Sequence, residues 1–313
     1  MKLTALLILL VVSASASAQG GSVQRQMAVT IDDLPYVTID APFLPNAQRA
    51  TPKILGALQK YHAPVVGFVN EAKLDAGNER AARIALLQSW INAGAVLGNH
   101  TYSHKALDIV SIEQFEEEIV KGDVVTRQLM KSREPYQLYF RHPMTHTGNT
   151  LEKKEAIEKF LAARGYKVTP HTIENSDFIF NVGYAQALHK KDLALARRIR
   201  DSYLDFTIAA TEFAEKISPQ IFGREIPQVL LIHANDLNAD CLDELLQRLA
   251  ARGYRFVSLD KAMADPAYQT RDTWVGATGP TWLWRWMKSK GMSLKFAGDP
   301  EPAQWVVDLY NQR

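Results

Sequence analysis

Four groups of polar residues contain the side chains of this sequence that are best suited to chemistry. Each group directly follows an apolar run: Asp32 and Asp33 after MAVTI, His100 to His104 after AVLGN, Arg141 after QLYF, and His233 after QVLLI. In parallel α/β folds, functional side chains gather at the C-terminal ends of the strands. We therefore expect these four groups to meet at one end of a sheet.

The spacing of His100 and His104 favours a metal site. On a helical turn, imidazoles four residues apart face the same way and can share a divalent ion. A carboxylate from Asp32 or Asp33 would complete a three-ligand set and leave one coordination position for water. Adjacent carboxylates point in different directions, so one can bind metal while the other transfers protons. Each pair alone could be incidental, but together at strand ends they predict a hydrolytic metal centre.

Strand-like and helix-like segments alternate along most of the chain, which predicts a parallel sheet, open or closed, with crossover helices. Strands are predicted at residues 27–31, 64–69, 95–98, 137–140, 166–169, 178–181, 228–232 and 254–258. One helix is predicted to begin at the Thr51-Pro52 pair. Another helix is predicted to run without interruption from residue 111 to about residue 130. A helical run at about 184–218 has the pattern of an insertion. The domain prediction is a barrel over residues 19–265, followed by an irregular tryptophan-rich extension over 266–313.

The composition excludes several classes of protein. The chain has 36 Lys and Arg against 34 Asp and Glu, with 47% hydrophobic and 22% charged residues. This is ordinary globular composition, and the absence of a dense basic run argues against nucleic-acid binding. The single cysteine, Cys241, excludes an internal disulfide. The composition does not indicate whether the protein is a monomer or an oligomer.

Residues 1–18 have the pattern of a secretory signal peptide. Lys2 gives the positive start, the apolar run Leu3 to Val12 is too short to span a bilayer, and the small residues of Ala16-Ser17-Ala18 fit a cleavage site. No cysteine lies at the predicted junction to carry a lipid. We therefore expect an exported protein, periplasmic or secreted, with no stable membrane anchor.

The ordered motifs of the chain resemble the polysaccharide deacetylase family, carbohydrate esterase family 4 with the NodB-homology domain. Its T-F-D-D-G-P motif is similar to Thr30 to Pro35, and its H-[S/T]-x-x-H motif is matched by His100 to His104. Its R-x-P, D-x-x-D-W and L-x-H motifs resemble Arg141 to Pro143, Glu174 to Phe178 and Leu231 to His233. The resemblance implies a distorted (β/α)7 barrel that removes acetyl groups from the N-acetylated, and in some cases O-acetylated, sugars of glycans.

The resemblance also implies roles for individual residues. The metal ligands would be Asp33, His100 and His104, holding zinc or another divalent transition metal. The catalytic groups would be Asp32 as general base, His233 as general acid, Arg141 orienting the base and Asp177 supporting the acid. Substrate contacts would come from Leu231, Pro143, Met144 and Phe178, with an oxyanion held by a backbone N–H near Met144.

These roles suit the hydrolysis of a stable amide, because a bound metal supplies a strong nucleophile at neutral pH and histidine suits proton delivery to nitrogen. Several positions depart from the family pattern. Leu34 replaces Gly, Met144 replaces an aromatic residue, Phe178 replaces Trp, and Ala234 stands where Asp is frequent. Two alternatives therefore stand beside the glycan deacetylase: an amidohydrolase of a small non-sugar amide or imide, and a non-catalytic glycan- or metal-binding barrel. The retained Asp32 and His233 argue against the second alternative.

The extension contains five of the six tryptophans. Aromatic faces could form a sugar-binding lip, or the segment could pack as a strap on the barrel. Large aromatic side chains mostly serve burial, so the sequence favours packing.

Overall fold

The computed structural model describes residues 25–39, 42–292 and 299–312. The predicted signal peptide, residues 1–18, lies outside the described residues. No helix within the described ranges is both long and apolar enough to cross a membrane.

The strands form one sheet in which every pairing is parallel. They are β1 (Arg25–Leu34), β2 (Val65–Val69), β3 (Val96–Asn99), β4 (Leu138–Phe140), β5 (Tyr166–Val168), β6 (Ile173–Glu174), β7 (Gln228–His233) and β8 (Tyr254–Phe256). The order is β5-β4-β3-β2-β1-β7-β6, and β8 pairs with the start of β1. Because crossover helices connect these strands, the architecture is an open, distorted (β/α)7 barrel, as expected.

Eleven α-helices lie within the described residues. They are α1 (Phe43–Lys60), α2 (Arg80–Asn92), α3 (Ile112–Lys121), α4 (Val124–Met130), α5 (Leu151–Ala163), α6 (Asp177–His189), α7 (Leu193–Phe222), α8 (Asp236–Ala251), α9 (Leu259–Met263), α10 (Trp282–Ser289) and α11 (Gln304–Asn311). The central strands β1, β2 and β7 are buried almost throughout, so their near-continuous apolar runs fit a sheet covered by helices. This rigid sheet fixes the positions of the residues that follow each strand.

Three local predictions were wrong. The helix predicted to begin at Thr51 begins at Phe43, and Pro52 lies inside it on the exposed face. The strand predicted at 178–181 is the first turn of α6, because a short apolar run cannot distinguish a strand from a buried helix. The helix predicted over residues 111–130 is broken at Gly122, where an added Cβ would collide with the backbone around Thr101.

The region of the predicted insertion consists of the last part of α6 and the 30-residue helix α7. The extension is more regular than its sequence indicates, since it carries α10 and α11. Trp282 and Trp286 of α10 are buried and belong to the same hydrophobic core as Ile199 and Leu204 of α7. The described part of the extension therefore packs on α6, α7 and the barrel rather than standing apart.

Candidate active site

The ends of four strands bring the predicted catalytic side chains together. Asp32 is in register with His233 across β1 and β7. Strands β3 and β4 end side by side at Asn99 and Phe140, one residue before the predicted histidine and arginine. The first residues to leave the sheet at this edge are therefore the chemically useful ones.

Asp33, His100 and His104 form a cluster with the dimensions of a metal site. The Nε2 atoms of His100 and His104 lie 3.7 and 3.5 Å from Oδ1 of Asp33. One ligand atom from each residue lies within 4.8 Å of the other two. Oδ1 of Asp33 is buried without a hydrogen-bond partner in the described residues. One carboxylate and two imidazoles around an orphaned oxygen fit a divalent ion such as zinc.

The two histidines meet by a different local geometry from the one we predicted. Residues 100–104 form a loop rather than a helical turn, and Thr101 and His104 have φ values of 64° and 60°. These left-handed residues fold the loop back so that the rings lie 4.9 Å apart. The spacing of the motif was therefore informative, but the helical reason for it was wrong.

The imidazole of His100 is oriented for metal binding. Its Nδ1 lies 2.7 Å from the backbone oxygen of Arg141, so Nδ1–H donates and Nε2 keeps its lone pair. Burial lowers the pKa of His100 well below its ordinary value, and the neighbouring His104 acts in the same direction. A neutral imidazole is the form that binds a metal.

The carboxylate of Asp33 is kept ionised by its neighbours. Burial alone would raise its pKa, but Lys73 and the two ligand histidines hold the pKa of Asp33 well below its usual range. The Lys73 ammonium donates to the backbone oxygen of Asp33 at 2.8 Å and lies 3.6 Å from Oδ1. Sequence reasoning missed Lys73, although the turn that carries it follows the end of β2 and is thus near the catalytic edge.

Asp32 is buried beside the ligand cluster. Its Oδ2 lies 3.6 Å from Nη1 of Arg141 and 3.7 Å from Nε2 of His100. Burial raises the pKa of Asp32 to about 6, although the charge of Arg141 acts to lower it. Arg141 is itself fully buried and donates from Nη2 to Oγ1 of Thr30 at 2.8 Å. The arginine is thus held where it can orient the Asp32 carboxylate.

His233 and Asp177 form a tight hydrogen-bonded pair. Nδ1 of His233 lies 2.6 Å from Oδ1 of Asp177, and the backbone N–H of His233 donates to Oδ2 at 2.8 Å. Burial opposes the charged imidazolium, but the Asp177 carboxylate raises the pKa of His233 to about 9. The ring therefore carries a proton at neutral pH, as a general acid requires.

A buried amide network that sequence reasoning missed holds Asp177. Asn235 and Asn238 both donate to Oδ2 of Asp177, the former at 3.0 Å. Tyr203 of α7 donates to Asn238 and accepts from Asn175 at 2.8 Å. The long helix α7 thereby reaches the partner of the candidate acid. The only sequence signal was that the two asparagines closely follow the end of β7.

Pro143 and Met144 lie in a tight turn after β4. Met144 has φ 53° and a 57% exposed side chain, whereas Pro143 is buried. The backbone N–H of Met144 donates to no acceptor within the described residues. An exposed turn with a free N–H can donate to a developing oxyanion.

The extension fastens this turn from behind. The guanidinium of Arg285 is buried and donates to the backbone oxygen of Thr145 at 2.6 Å and to Oγ1 of Thr147 at 2.8 Å. Oγ1 of Thr145 in turn donates to the backbone oxygen of Gly279 at 2.7 Å. Sequence reasoning missed this contact because about 140 residues separate its partners.

Leu231 and Phe178 take different positions around His233. Leu231 is 4% exposed, two residues before His233 on β7, and is in register with Glu174 of β6. The Phe178 ring is 39% exposed and its edge faces His233, with ring centres 6.2 Å apart. Phe178 also packs against Tyr310 of α11. The exposed aromatic ring is therefore available beside the candidate acid.

The sequence of this chain is similar to those of known proteins. A family model for polysaccharide deacetylases matches residues 20–157, which contain the first three motifs. A relative is the peptidoglycan-N-acetylglucosamine deacetylase of Bacillus cereus, 24% identical over 242 residues, covering 75% of this chain and 67% of the relative.

Two solved structures show the same fold. A mutant of a CE4 family pseudoenzyme with restored enzymatic activity is 16% identical over 77% of this chain and 68% of its own, with a TM-score of 0.50. The T48 deacetylase with substrate is also 16% identical, over 77% of this chain and 92% of its own, with a TM-score of 0.50. At 16% identity, the similarity to the two solved structures supports the fold. The match to the family model and the curated relative indicate the family. The family-model match over residues 20–157 and the curated relative support a deacetylase of the polysaccharide deacetylase family, carbohydrate esterase family 4.

Proposed function

We propose that the protein is a metal-dependent hydrolase that removes acetyl groups from N-acetylated sugars of a glycan, such as a chitin oligosaccharide or peptidoglycan. One observation carries the proposal: a three-ligand cluster is flanked by a buried carboxylate with a pKa of about 6 and a histidine with a pKa of about 9. A binding site needs neither a base nor an acid. The name of the Bacillus cereus relative supports an N-acetylglucosamine substrate.

The residues divide the reaction between them. A divalent ion held by Asp33, His100 and His104 would polarise the acetyl carbonyl and lower the pKa of a water molecule. Asp32 is ionised at neutral pH and accepts the proton of the attacking water. The free N–H of Met144 donates to the oxyanion that forms.

The leaving nitrogen needs a proton before it departs, because an amide anion is a poor leaving group. His233 is held through Nδ1 by Asp177, so the Nε2–H is the proton available for transfer. The amine then leaves neutral and acetate remains. The same groups would also cleave an O-acetyl ester.

A defined assay tests this proposal. The protein without residues 1–18 is stripped with a chelator, reloaded with zinc or cobalt, and incubated with chitin oligosaccharides and peptidoglycan fragments while released acetate is measured. We expect acetate release that depends on the added ion. Asp32→Asn and His233→Ala should each lower kcat by about 10²–10⁴-fold, the usual contribution of a positioned acid or base. Lack of release from every sugar, with metal bound, contradicts the proposal.

A second candidate is an amidohydrolase of a small non-sugar amide or imide. The observation that favours it is the unusual surround of the site, with Met144 exposed at the oxyanion turn and Phe178 beside His233. Release of amine from N-acetylated anilines or cyclic imides, faster than acetate release from any sugar, would support this alternative.

We also propose that the protein is exported. The support is the sequence pattern of residues 1–18 alone. Sequencing the N-terminus of the protein recovered from cell fractions tests this, and we expect Gln19 as the first residue of protein in the periplasm or medium. Full-length protein confined to the cytoplasm would contradict the proposal.

A further inference from the structure

A cavity of about 750 Å³ lies beside the candidate active site. Its walls come from β6 and the residues around it, from α7, and from the C-terminal extension. Every residue that lines it lies after residue 157, outside the part of the chain matched by the family model. Apart from Glu174 and Ser176, which belong to the segment that resembles the D-x-x-D-W motif, the cavity is built from residues outside the family motifs.

The order of the strands places the cavity on one particular side of the reaction. Across the sheet, β3 and β1 carry the metal-ligand cluster, β7 carries His233, and β6 is the next strand. Glu174 at the end of β6 lines the cavity, and the charges of His233 and Asp32 affect the pKa of its carboxyl group. The acid protonates the leaving nitrogen, so the cavity lies on the side of the substrate's amine, not of its acetyl group.

The lining combines aromatic faces with carboxylates. Its partly exposed rings are Phe206 and Phe213 of α7 and Trp274 and Trp284 of the extension. Aromatic faces attract cations and cover the apolar faces of flat ligands.

Two carboxylates and one ammonium group complete the charged lining. Glu174 accepts no hydrogen bond from the described residues, and its Oε2 lies 3.8 Å from Nε2 of the buried His171. Neither ring nitrogen of His171 has a hydrogen-bond partner in the part of the chain that the structure describes. Asp299 accepts from Nε1 of Trp284 at 3.1 Å. Lys288, the basic residue of the lining, lies over the Trp274 ring at 4.4 Å. Burial raises the pKa of Glu174 to about 7, and a bound cation would favour its ionised form.

We propose that this cavity binds a cationic amino-sugar unit joined to the acetylated sugar, so that the enzyme prefers glycans that are already partly deacetylated. The ammonium group of such a unit would pair with Glu174 and Asp299, and its ring would lie against the tryptophan faces. The inference rests on the proposed sugar deacetylase function and specifies its substrate class.

Kinetics on defined disaccharides tests the preference. The substrates are N,N′-diacetylchitobiose and its two mono-deacetylated isomers, and kcat/KM for acetate release is measured at pH 7. The wild-type chain should favour one mono-deacetylated isomer over the diacetylated sugar by about tenfold, as expected for a charge-assisted hydrogen bond. Glu174→Gln and Asp299→Asn should each reduce this ratio. Equal kcat/KM values for all three sugars in the wild type would overturn the inference.

A matched control separates the cavity from general charge effects. Glu117 is exposed on α3, away from the cavity, and among the described residues it pairs only with Lys121, at 3.6 Å. Glu117→Gln should leave the ratio and the activity unchanged. A drop in the ratio as large as in Glu174→Gln would refute the role of the cavity.

A binding measurement keeps the inference separate from the proposed function. Chitosan trisaccharide is titrated into the same metal-loaded chain and its binding is measured by calorimetry. Its affinity should be about tenfold weaker for Glu174→Gln and for Asp299→Asn than for the wild type. If no acetylated sugar is cleaved but this binding pattern holds, the proposed function fails and the cavity assignment stands. If acetate is released but neither variant weakens binding, the cavity assignment fails alone.

Discussion

Replacing Asp177 with Asn would test whether His233 is the acid and why it is protonated. In the wild type, the carboxylate holds the imidazolium and the pKa of His233 is about 9, against an ordinary value of 6.5. This difference corresponds to about 3 kcal/mol of preference for the charged ring. An amide of the same size keeps the shape of the site but removes the charge. The strongest interaction that raises the pKa of His233 is then lost. Burial still lowers the pKa while Asp32 and Asp33 still raise it, so the pKa of His233 should fall toward its ordinary value.

The loss of activity should therefore depend on pH. With a pKa near 9 the ring is about nine-tenths protonated at pH 8, whereas with a pKa of 6.5 it is about 3% protonated, so kcat/KM should fall by about 30-fold from protonation alone. At pH 6 the same factor is less than about twofold. Any loss from misorientation of the ring would be the same at both pH values.

The assay is the pH profile of kcat/KM for acetate release by wild type and Asp177→Asn between pH 5 and 10. The alkaline limb should move to lower pH in the variant. The same pair gives a stability test, because a raised folded-state pKa stabilises the fold below the unfolded value and the benefit is lost as pH rises through about 9. An equal loss of activity at pH 6 and pH 8 would refute the assignment of His233 as a protonated acid.

Four further predictions follow from the site. Metal removal or His104→Ala should abolish activity, and zinc should restore only the wild type; full activity after exhaustive dialysis against chelator would contradict the ligand assignment. Arg141→Met should raise the pKa of Asp32 above about 6, which moves the acid limb of the pH profile to higher pH; an unmoved limb would separate Arg141 from the base. Arg285→Met should lower kcat more than it raises KM while zinc affinity, measured by competition with a chelating dye, stays the same, because the arginine holds the oxyanion turn. Tyr203→Phe removes a hydroxyl that both donates and accepts in the buried network, and should lower the free energy of unfolding by about 1–3 kcal/mol in denaturant titrations.

The sequence was sufficient for the chemistry that lies at strand ends. The four polar groups that contain Asp33, His100, Arg141 and His233 each follow an apolar run, and parallel strands bring such residues to one edge of the sheet whatever the details of the helices. This is why His100 and His104 meet even though their loop is not helical. The same reasoning does not find the residues that hold these side chains in place. Lys73 reaches the site from the turn after β2, and Arg285 reaches it from the extension, where no strand end marks it.

The missed residues have a common physical origin. Hydrogen bonds such as those joining Tyr203, Asn238 and Asp177 depend on how α7 packs against α8, and local periodicity contains no record of that packing. Helix boundaries fail for a related reason. Pro52 was read as the start of a helix, but with its ring on the exposed face the helix continues through it, held by the buried residues of α1.

The family-model match ends at residue 157, and this position divides the candidate site by the part of the substrate that each half would contact. Under the proposed function, residues before it would supply the metal ligands, the base and the oxyanion turn, which would act on the acetyl group and on water. The candidate acid His233 on β7, the helix α7 and the C-terminal extension lie after residue 157. These groups would contact the leaving amine. The departures from the family pattern lie in both halves, Leu34 and Met144 before residue 157 and Phe178 and Ala234 after it. The groups that would contact the leaving amine lie in the second half. Phe178 beside His233, the Tyr203 network and the cavity at Glu174 all lie there. Substrate choice in this enzyme is thus expected to respond to substitutions in the second half of the chain, with the metal ligands unchanged.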